Sequence, residues 1–405
     1  MIYNLTKYNN NWKTMKLNQL GTFARGKSKH RPRNDKKLFE GGGYPLVQTG
    51  EIKEATLYVN KHSTEYNEFG LSQSRLWNKD TLCITIAANI AETAILAYPM
   101  CFPDSIVGFN ANKKESSELF MHYMFTYIKQ AIQKSASGSI QDNINIDYLE
   151  HLDFKIPSKE VQDKITNILY NIDKKIENNN KIVETLEELS KTIYNYWFLQ
   201  YEFPNEEGKP YKSFCGNMIW NENLNREIPK KWKVKKIGDI ILERKKSSIQ
   251  VGQAKDIIGK YPFFTSGSEI YESNEVLTEG RNCFLSTGGK GYVQYYVGKS
   301  AYSTDTWVIS GIDGLEDYLY LFIKSMEKVL DNKYFAGTGL KHLQKDLFKD
   351  TYIVIPEDEI LNKFNTLSNP IFDKVSKIYK ENQELQKLRD FLLPLLMNGQ
   401  VGFKN

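Results

Sequence analysis

Gly21, Gly26, Lys27 and Ser28 stand at the spacing of a phosphate-binding loop, in which backbone N–H groups close on a nucleotide's phosphates, the lysine neutralises them and the hydroxyl holds magnesium. Such a loop must leave a buried strand and open a helix. Met15 to Leu20 is no apolar run, and Pro32 among the following basic residues obstructs a helix. Gly298-Lys299-Ser300 has the right tail but Val293 where the first glycine belongs, and Gly289-Lys290 fails in the same way at Phe284. His30, His62, His122, His151 and His342 are scattered without a ligand cluster, as isolated surface or core histidines usually are. Cys83, Cys101, Cys215 and Cys283 never fall in CxxC spacing and read as small buried hydrophobes. No GxGxxG run follows a strand, and no Asn-Pro-Pro-aromatic stretch for base methylation is found. These residues predict a chain that performs no chemistry itself and holds no metal or cofactor.

What remains is recognition. Arg25, Lys27, Ser28, Lys29, Arg31 and Arg33 lie in a densely basic run that extends to Lys37, and Arg244-Lys245-Lys246 stands at the matching point of a second copy. A basic run alone is usually a solvated loop. Its recurrence singles it out, because lysine and arginine on phosphate supply most of the non-specific affinity for DNA. Thr287 to Tyr292, with Gly289, Lys290 and Tyr292, would let backbone approach a groove and set a cation and an aromatic at its rim; Ala87 to Glu92, with Asn89, is the equivalent stretch. The turns at Gly138-Ser139 and at Gly337-Thr338 with Lys341 suit a phosphate as well as they suit chain reversal. Thr49 and Ser266 complete the candidate set.

The elements that must position these residues come in duplicate, about 200 residues apart. Trp12-Lys13 is answered by Trp232-Lys233, Tyr44-Pro45 by Tyr261-Pro262, and Thr49-Gly50-Glu51-Ile52 by Ser266-Gly267-Ser268-Glu269-Ile270. Cys83 pairs with Cys283, Asp104-Ser105 with Asp305-Thr306, Gly138-Ser139 with Gly337-Thr338, and Ile156-Pro157 with Ile355-Pro356. Two equivalent binding surfaces imply a target that is itself double or extended. Within each copy, Leu82 to Ala87, Ala94 to Tyr98, Cys283 to Leu285, Tyr292 to Val297 and Thr306 to Ile309 read as short strands, while Leu119 to Gln133 and Leu319 to Leu330 read as helices.

Each copy ends in a long apolar-periodic helix. After Pro157 the stripe includes Ile172, Leu186 and Ile193; after Pro356 it includes Ile371, Leu385 and Leu392, and most of the first stripe falls on the second at one offset. Pro370 and Pro394 are expected to bend or interrupt the second helix, with Gly399 as its stop. Helices of about 40 residues are about 60 Å long. The order domain, helix, domain, helix makes the pair antiparallel. The predicted fold is α+β: two similar mixed α/β domains (1–157 and 232–356), separated by two long antiparallel helices (158–200 and 357–405) as a coiled-coil spacer, joined by a linker (201–231), with a pseudo-two-fold axis.

A length of 405 residues suits two domains, and 40% hydrophobic content excludes a disordered chain. No run approaches the roughly 18 apolar residues of a membrane span, and the N-terminus lacks a signal-peptide layout, so a cytoplasmic protein is expected. A net charge of +5 is too mild to prove a nucleic-acid partner.

Through this duplicated frame the chain resembles the specificity subunits of type I restriction-modification systems over its whole length. The likeness rests on the order of Ile228-Pro229-Lys230-Lys231-Trp232-Lys233, the proline-led helices, the linker Phe203 to Pro210 and the ending Leu392-Leu393-Pro394-Leu395-Leu396-Met397-Asn398-Gly399. The resemblance implies two target-recognition domains that each read half of a split double-stranded DNA site. It also implies two modification subunits docking on the helices and domains to methylate adenines, and restriction subunits that hydrolyse ATP. S-adenosylmethionine, ATP and magnesium would then be bound by those partners, and no membrane is involved. Asp142 and Asn143 depart from Lys341 and His342 in the other copy. An enzyme of unrecognised type using the Gly21 to Ser28 loop, and a coiled-coil scaffold with incidental basic loops, stay open beside this reading.

Overall fold

A computed structural model describes residues 2–137, 144–255 and 257–403, with no side-chain description at 135–137. The chain forms two compact units, residues 1–178 with 383–405 and residues 179–382.

In the first unit a five-stranded sheet runs in the order Gly21–Arg25, Ile106–Ala111, Leu82–Thr85, Thr93–Leu96, Tyr58–Val59. Leu82-Cys83-Ile84-Thr85 is buried throughout, which is why it reads as an unbroken apolar run rather than an alternation. The helix Glu118–Ser137 packs on this sheet through Phe120, Met124 and Ile128. Gly108 sits where a Cβ would meet the Trp77 ring at 2.6 Å, so this strand position accepts only glycine without a shift of its neighbours. Lys13–Lys16 pairs antiparallel with Asp153–Ile156, closing the domain on itself just before Pro157.

The second unit repeats the plan. Its sheet runs Ile241–Glu243, Thr306–Gly311, Arg281–Ser286, Val293–Val297, with Glu316–Ser325 packed on it, and Lys233–Lys236 pairs with Tyr352–Ile355 just before Pro356. The register repeats as well, with Cys83 opposite Gly108 and Cys283 opposite Ile309.

Several expectations need correction. Thr49–Glu54 is a helix, whereas its sequence match, Ser266 to Ile270, is an irregular turn running into the strand Ile270–Ser273, which pairs with Tyr261–Phe264; the counterpart of that strand in the first copy is Thr64–Tyr66 on Tyr44–Leu46. The stretch Leu319 to Leu330 is two helices, Glu316–Ser325 and Glu327–Lys333, turning at Met326 (φ −94°, ψ 0°) so that Leu330 and Tyr334 both reach the core. Cys215 is exposed, in a linker turn at φ 60°, while Cys83, Cys101 and Cys283 are buried. Burial pushes the Cys101 thiol up to about 11.

The long helices are Lys159–Tyr194, continued by a π-helical turn Asn195–Leu199, and Asp358–Met397. Neither Pro370 nor Pro394 interrupts the second. Each proline removes a single backbone donor, and buried Ile371 and Phe372, then Leu393, Leu396 and Met397, hold the flanking turns in apolar clusters. Gly399 follows at φ +76° with Trp12 and Asn9 against it, and Thr6 Oγ1 donates to Asn398 O at 2.8 Å. Within the first unit Asp173 meets Arg389, and Ile165 and Leu169 share a core with Leu393 and Leu396; Ile172 is buried and Leu392 half-buried there. Within the second, Asn179 meets Asn382, Glu187 meets Tyr379, and Val183 packs with Ile371, Val375 and Ile378, with Leu186 and Ile193 at the margin. In each unit rising numbers on one helix meet falling numbers on the other, so the segments are antiparallel. No helix of the described residues is long and apolar enough to cross a membrane.

Candidate nucleic-acid interface

In the second unit the strand order carries the candidate loops to one end of the sheet. Arg244 ends the strand pairing begun by Ile241–Glu243, its N–H donating to Val308 O, and its Nε donates to Asn282 Oδ1 at 3.0 Å. Lys245 is fixed through its carbonyl by Tyr302 OH at 2.7 Å, and Lys245 and Lys246 are exposed. Ile249 O, further along this segment, accepts from Thr304 N at 2.9 Å; Asp305 O accepts from Thr287 N at 3.0 Å; Lys341 O accepts from Gly289 N at 2.9 Å. These three bonds join the basic segment, the turn before Thr306–Gly311, the glycine hairpin and the Gly337 to His342 turn. Gly289, at φ +80°, gives the hairpin its reversal, and Lys290, Thr338 and Lys341 are exposed on these loops. Ser266 joins them, because the Gln294 amide donates to Gly267 O.

Tyr292 is placed otherwise. It is half-buried beneath Lys324, whose Nζ lies 5.8 Å from the ring centroid, and burial raises its hydroxyl pKa while Lys324 opposes the shift. Its ring packs toward Glu316–Ser325 rather than standing at an open rim. A cation that sequence reasoning missed belongs to the assembly: Lys345, 5.1 Å from the Trp307 ring, with its pKa lowered by burial and by the neighbouring Lys349 and Lys246 against the pull of Glu243. No repeat signal marks it, since Ile146 stands at the corresponding place.

The first unit gathers its loops in the same way. Arg25 lies opposite Val107, Gly26 N donates to Ile106 O at 2.9 Å, and Lys27 N to Phe102 O at 3.2 Å. A Cβ on Gly26 would meet the Phe102 and Pro103 carbonyls at 2.3 Å, so this glycine serves close packing rather than phosphate cradling. Gly21 opens a strand rather than following one, and no helix opens at Ser28, which removes the context a phosphate-binding loop needs. Ser28 is partly buried in this loop, and Lys29 N donates to Gln73 O at 3.1 Å. Arg33 donates to Asp104 Oδ1 at 2.7 Å, with Arg31 at 4.0 Å from the same carboxylate, so these two guanidinium groups are partly neutralised. Asn89 tops the hairpin between Leu82–Thr85 and Thr93–Leu96, its carbonyl held by the Thr85 hydroxyl; Gln133 Nε2 donates to Ile90 O at 2.9 Å and Lys129 pairs with Glu92 at 2.7 Å. Thr49 opens a short helix packed on the central strands, away from the basic run's own hydrogen bonds. Gly138, Ser139, Asp142 and Asn143 lie outside the described residues, but Ile144 N donates to Ile86 O at 3.1 Å, as Leu343 N does to Thr287 O at 3.0 Å. No group of acidic, histidine or cysteine residues among the described residues has the makings of a metal site.

Two mixed domains, each followed by a long helix and each presenting cationic loops at one end of its sheet, fit one family. Residues 9–188 and 229–389 match the type I restriction modification DNA specificity domain. The chain belongs to this family of specificity proteins. Such proteins are the DNA-recognition subunits of type I systems and are not catalytic. Among relatives of this specificity protein, the type I restriction enzyme MjaIX specificity subunit of Methanocaldococcus jannaschii is 25% identical, covering 96% of this chain and 93% of that one. The HindI specificity subunit of Haemophilus influenzae is 26% identical, covering 67% and 73%. In fold, the chain is similar to the crystal structure of the type I restriction-modification S subunit from M. genitalium, with a TM-score of 0.61 at 18% identity over 98% of this chain and 99% of that one.

Proposed function

We propose that the domains at 1–157 and 232–356 each read half of a split double-stranded DNA site, and that the helices at 158–200 and 357–405, with the linker 201–231, set the gap between the halves. The observation that carries this reading is the same in both units: Arg25 at the end of its strand with Lys27 and Lys29 on the loop that follows, and likewise Lys245, Lys246, Lys290 and Lys341 on loops, lie at one end of a central sheet and have no acidic partner among the described residues. Unpaired cations on adjoining loops are what phosphate neutralisation requires. Ser28, Thr49, Asn89, Ser139, Ser266 and Thr338 are the polar groups assigned beside them.

Two modification subunits are proposed to dock on the helices. Exposed Ile168 and Leu189 on the first helix recur as exposed Leu367 and Leu388 on the second, so one apolar docking pattern is presented twice. Restriction subunits join that assembly, with S-adenosylmethionine, ATP and magnesium bound in the partners, and the complex works on DNA in the cytoplasm. Mapping methylated adenines in DNA from cells carrying this chain with its modification subunit tests the reading. A bipartite sequence with a fixed gap is expected; methylation without a split site overturns it, and absence of salt-dependent DNA binding by the full chain favours a scaffold instead.

A further inference from the structure

Asp305 stands exposed among the second unit's cations, and its carboxylate has no ion-pair partner among the described residues. Its backbone, in contrast, is held on both sides. Thr306 N closes the turn onto Ser303 O at 3.1 Å, and Thr287 donates to Asp305 O from both N, at 3.0 Å, and Oγ1, at 2.9 Å. Thr304 N ties the same turn to Ile249, just beyond Lys245 and Lys246. The result is a free carboxylate on a fixed base, between the basic segment and the Gly289-Lys290 hairpin.

The first unit treats its matching residue differently. Asp104 lies in the corresponding turn, closed by Ile106 N on Pro103 O at 3.1 Å, but its carboxylate accepts from Arg33 Nη2 at 2.7 and 3.1 Å. On a face that neutralises phosphates, an unpaired carboxylate repels each phosphate it approaches. The first domain cancels that repulsion internally, and the second does not. The uncharged group of DNA that suits a carboxylate is an exocyclic amino group on the major-groove edge, N4 of cytosine or N6 of adenine.

We propose that Asp305 reads such an amino group in one half of the target site. The proposal rests on the DNA-reading function above, and the experiment separates the two. The full chain is compared with its Asp305→Ala variant in duplex binding, and in methylated-site mapping with its modification subunit. Expected is a loss of discrimination at one position of one half-site, with cognate binding weakened about 5- to 150-fold while binding to unrelated duplex holds or tightens. Which base pair relaxes, C·G or A·T, tells cytosine from adenine. Uniform tightening with an unchanged site assigns Asp305 a merely repulsive role and overturns the proposal, as does no change in either readout. Asp305→Leu keeps about the side chain's size without an acceptor and repeats the test if the alanine variant melts early. A parent chain with no sequence preference overturns the function itself, before any variant is made.

Discussion

Arg389 Nη1 stands 3.0 Å from Asp173 Oδ1, joining the two long helices inside the first unit. Asp173 is 3% exposed, and its other oxygen accepts Tyr123 OH at 2.6 Å. Burial raises the Tyr123 hydroxyl pKa further than the neighbouring carboxylate does, so this tyrosine stays a donor to Asp173. One charge is thus held by a domain helix and by both long helices at once. A buried carboxylate stripped of its cation is expensive, whereas an apolar or neutral replacement of the whole pair is not. Arg389→Met is expected to lower stability by about 3–5 kcal/mol in urea denaturation, and Asp173→Asn added to it to recover most of the loss. A single variant as stable as the parent contradicts this account of the junction.

His122 sets an acid limit on the same domain. It is buried, with its Nδ1 3.0 Å from Thr93 Oγ1, and burial, helped by the Arg389 charge, pushes its imidazole down from 6.5 to about 4. The folded state holds it neutral while the unfolded chain protonates it. Stability is therefore full above about pH 6.5 and falls as pH drops toward 4, by about 3 kcal/mol over that window. Denaturation curves at pH 7.5 and 4.5 should show this loss, and His122→Gln should shrink it; an equal loss in both chains places the acid sensitivity elsewhere.

The basic run divides into free and tethered charges. Lys27→Ala with Lys29→Ala is expected to lower the slope of log affinity against log salt by about two, near 0.9 for each phosphate no longer neutralised. Arg33→Ala should lower it by less, since Asp104 already holds that guanidinium. Anisotropy titrations across salt concentrations decide, and equal slopes for all three chains would remove the run from the interface.

The docking proposed for the helices separates from their packing. Leu189 and Leu388 are 47% and 45% exposed, so Leu189→Asp and Leu388→Asp should melt within about 0.5 kcal/mol of the parent yet lose modification subunits in size exclusion with light scattering. Leu186→Asp, at the edge of the cluster around Val183, should instead destabilise the fold itself. Full capture by both exposed-site variants contradicts the docking face.

The duplicated frame was legible because strand and helix edges carry strong local marks. Trp-Lys before one strand and Ile-Pro after its partner appear twice, and the register agrees pair for pair, Lys13 with Ile156 and Lys233 with Ile355. Where neighbours decide, letters misled: Thr49-Gly50-Glu51-Ile52 and Ser266-Gly267-Ser268-Glu269-Ile270 look alike, but the first lies in a helix packed on the sheet and the second is an irregular turn leading into a paired strand. Pro370 and Pro394 misled for a related reason, since burial of the flanking apolar residues outweighs one lost hydrogen bond at each. The candidate loops could be named but not ranked. Whether Arg33 or Asp305 is free depends on which residue folds back onto it, and that neighbour is remote in sequence.

Thr6 holding Asn398, with Gly399 seated against Trp12 and Asn9, brings residues near the two chain ends together in the first unit. Fraying of the last turn of Asp358–Met397 would therefore also release the segment that leads through Trp12 into the strand Lys13–Lys16, so the two give way as one unit.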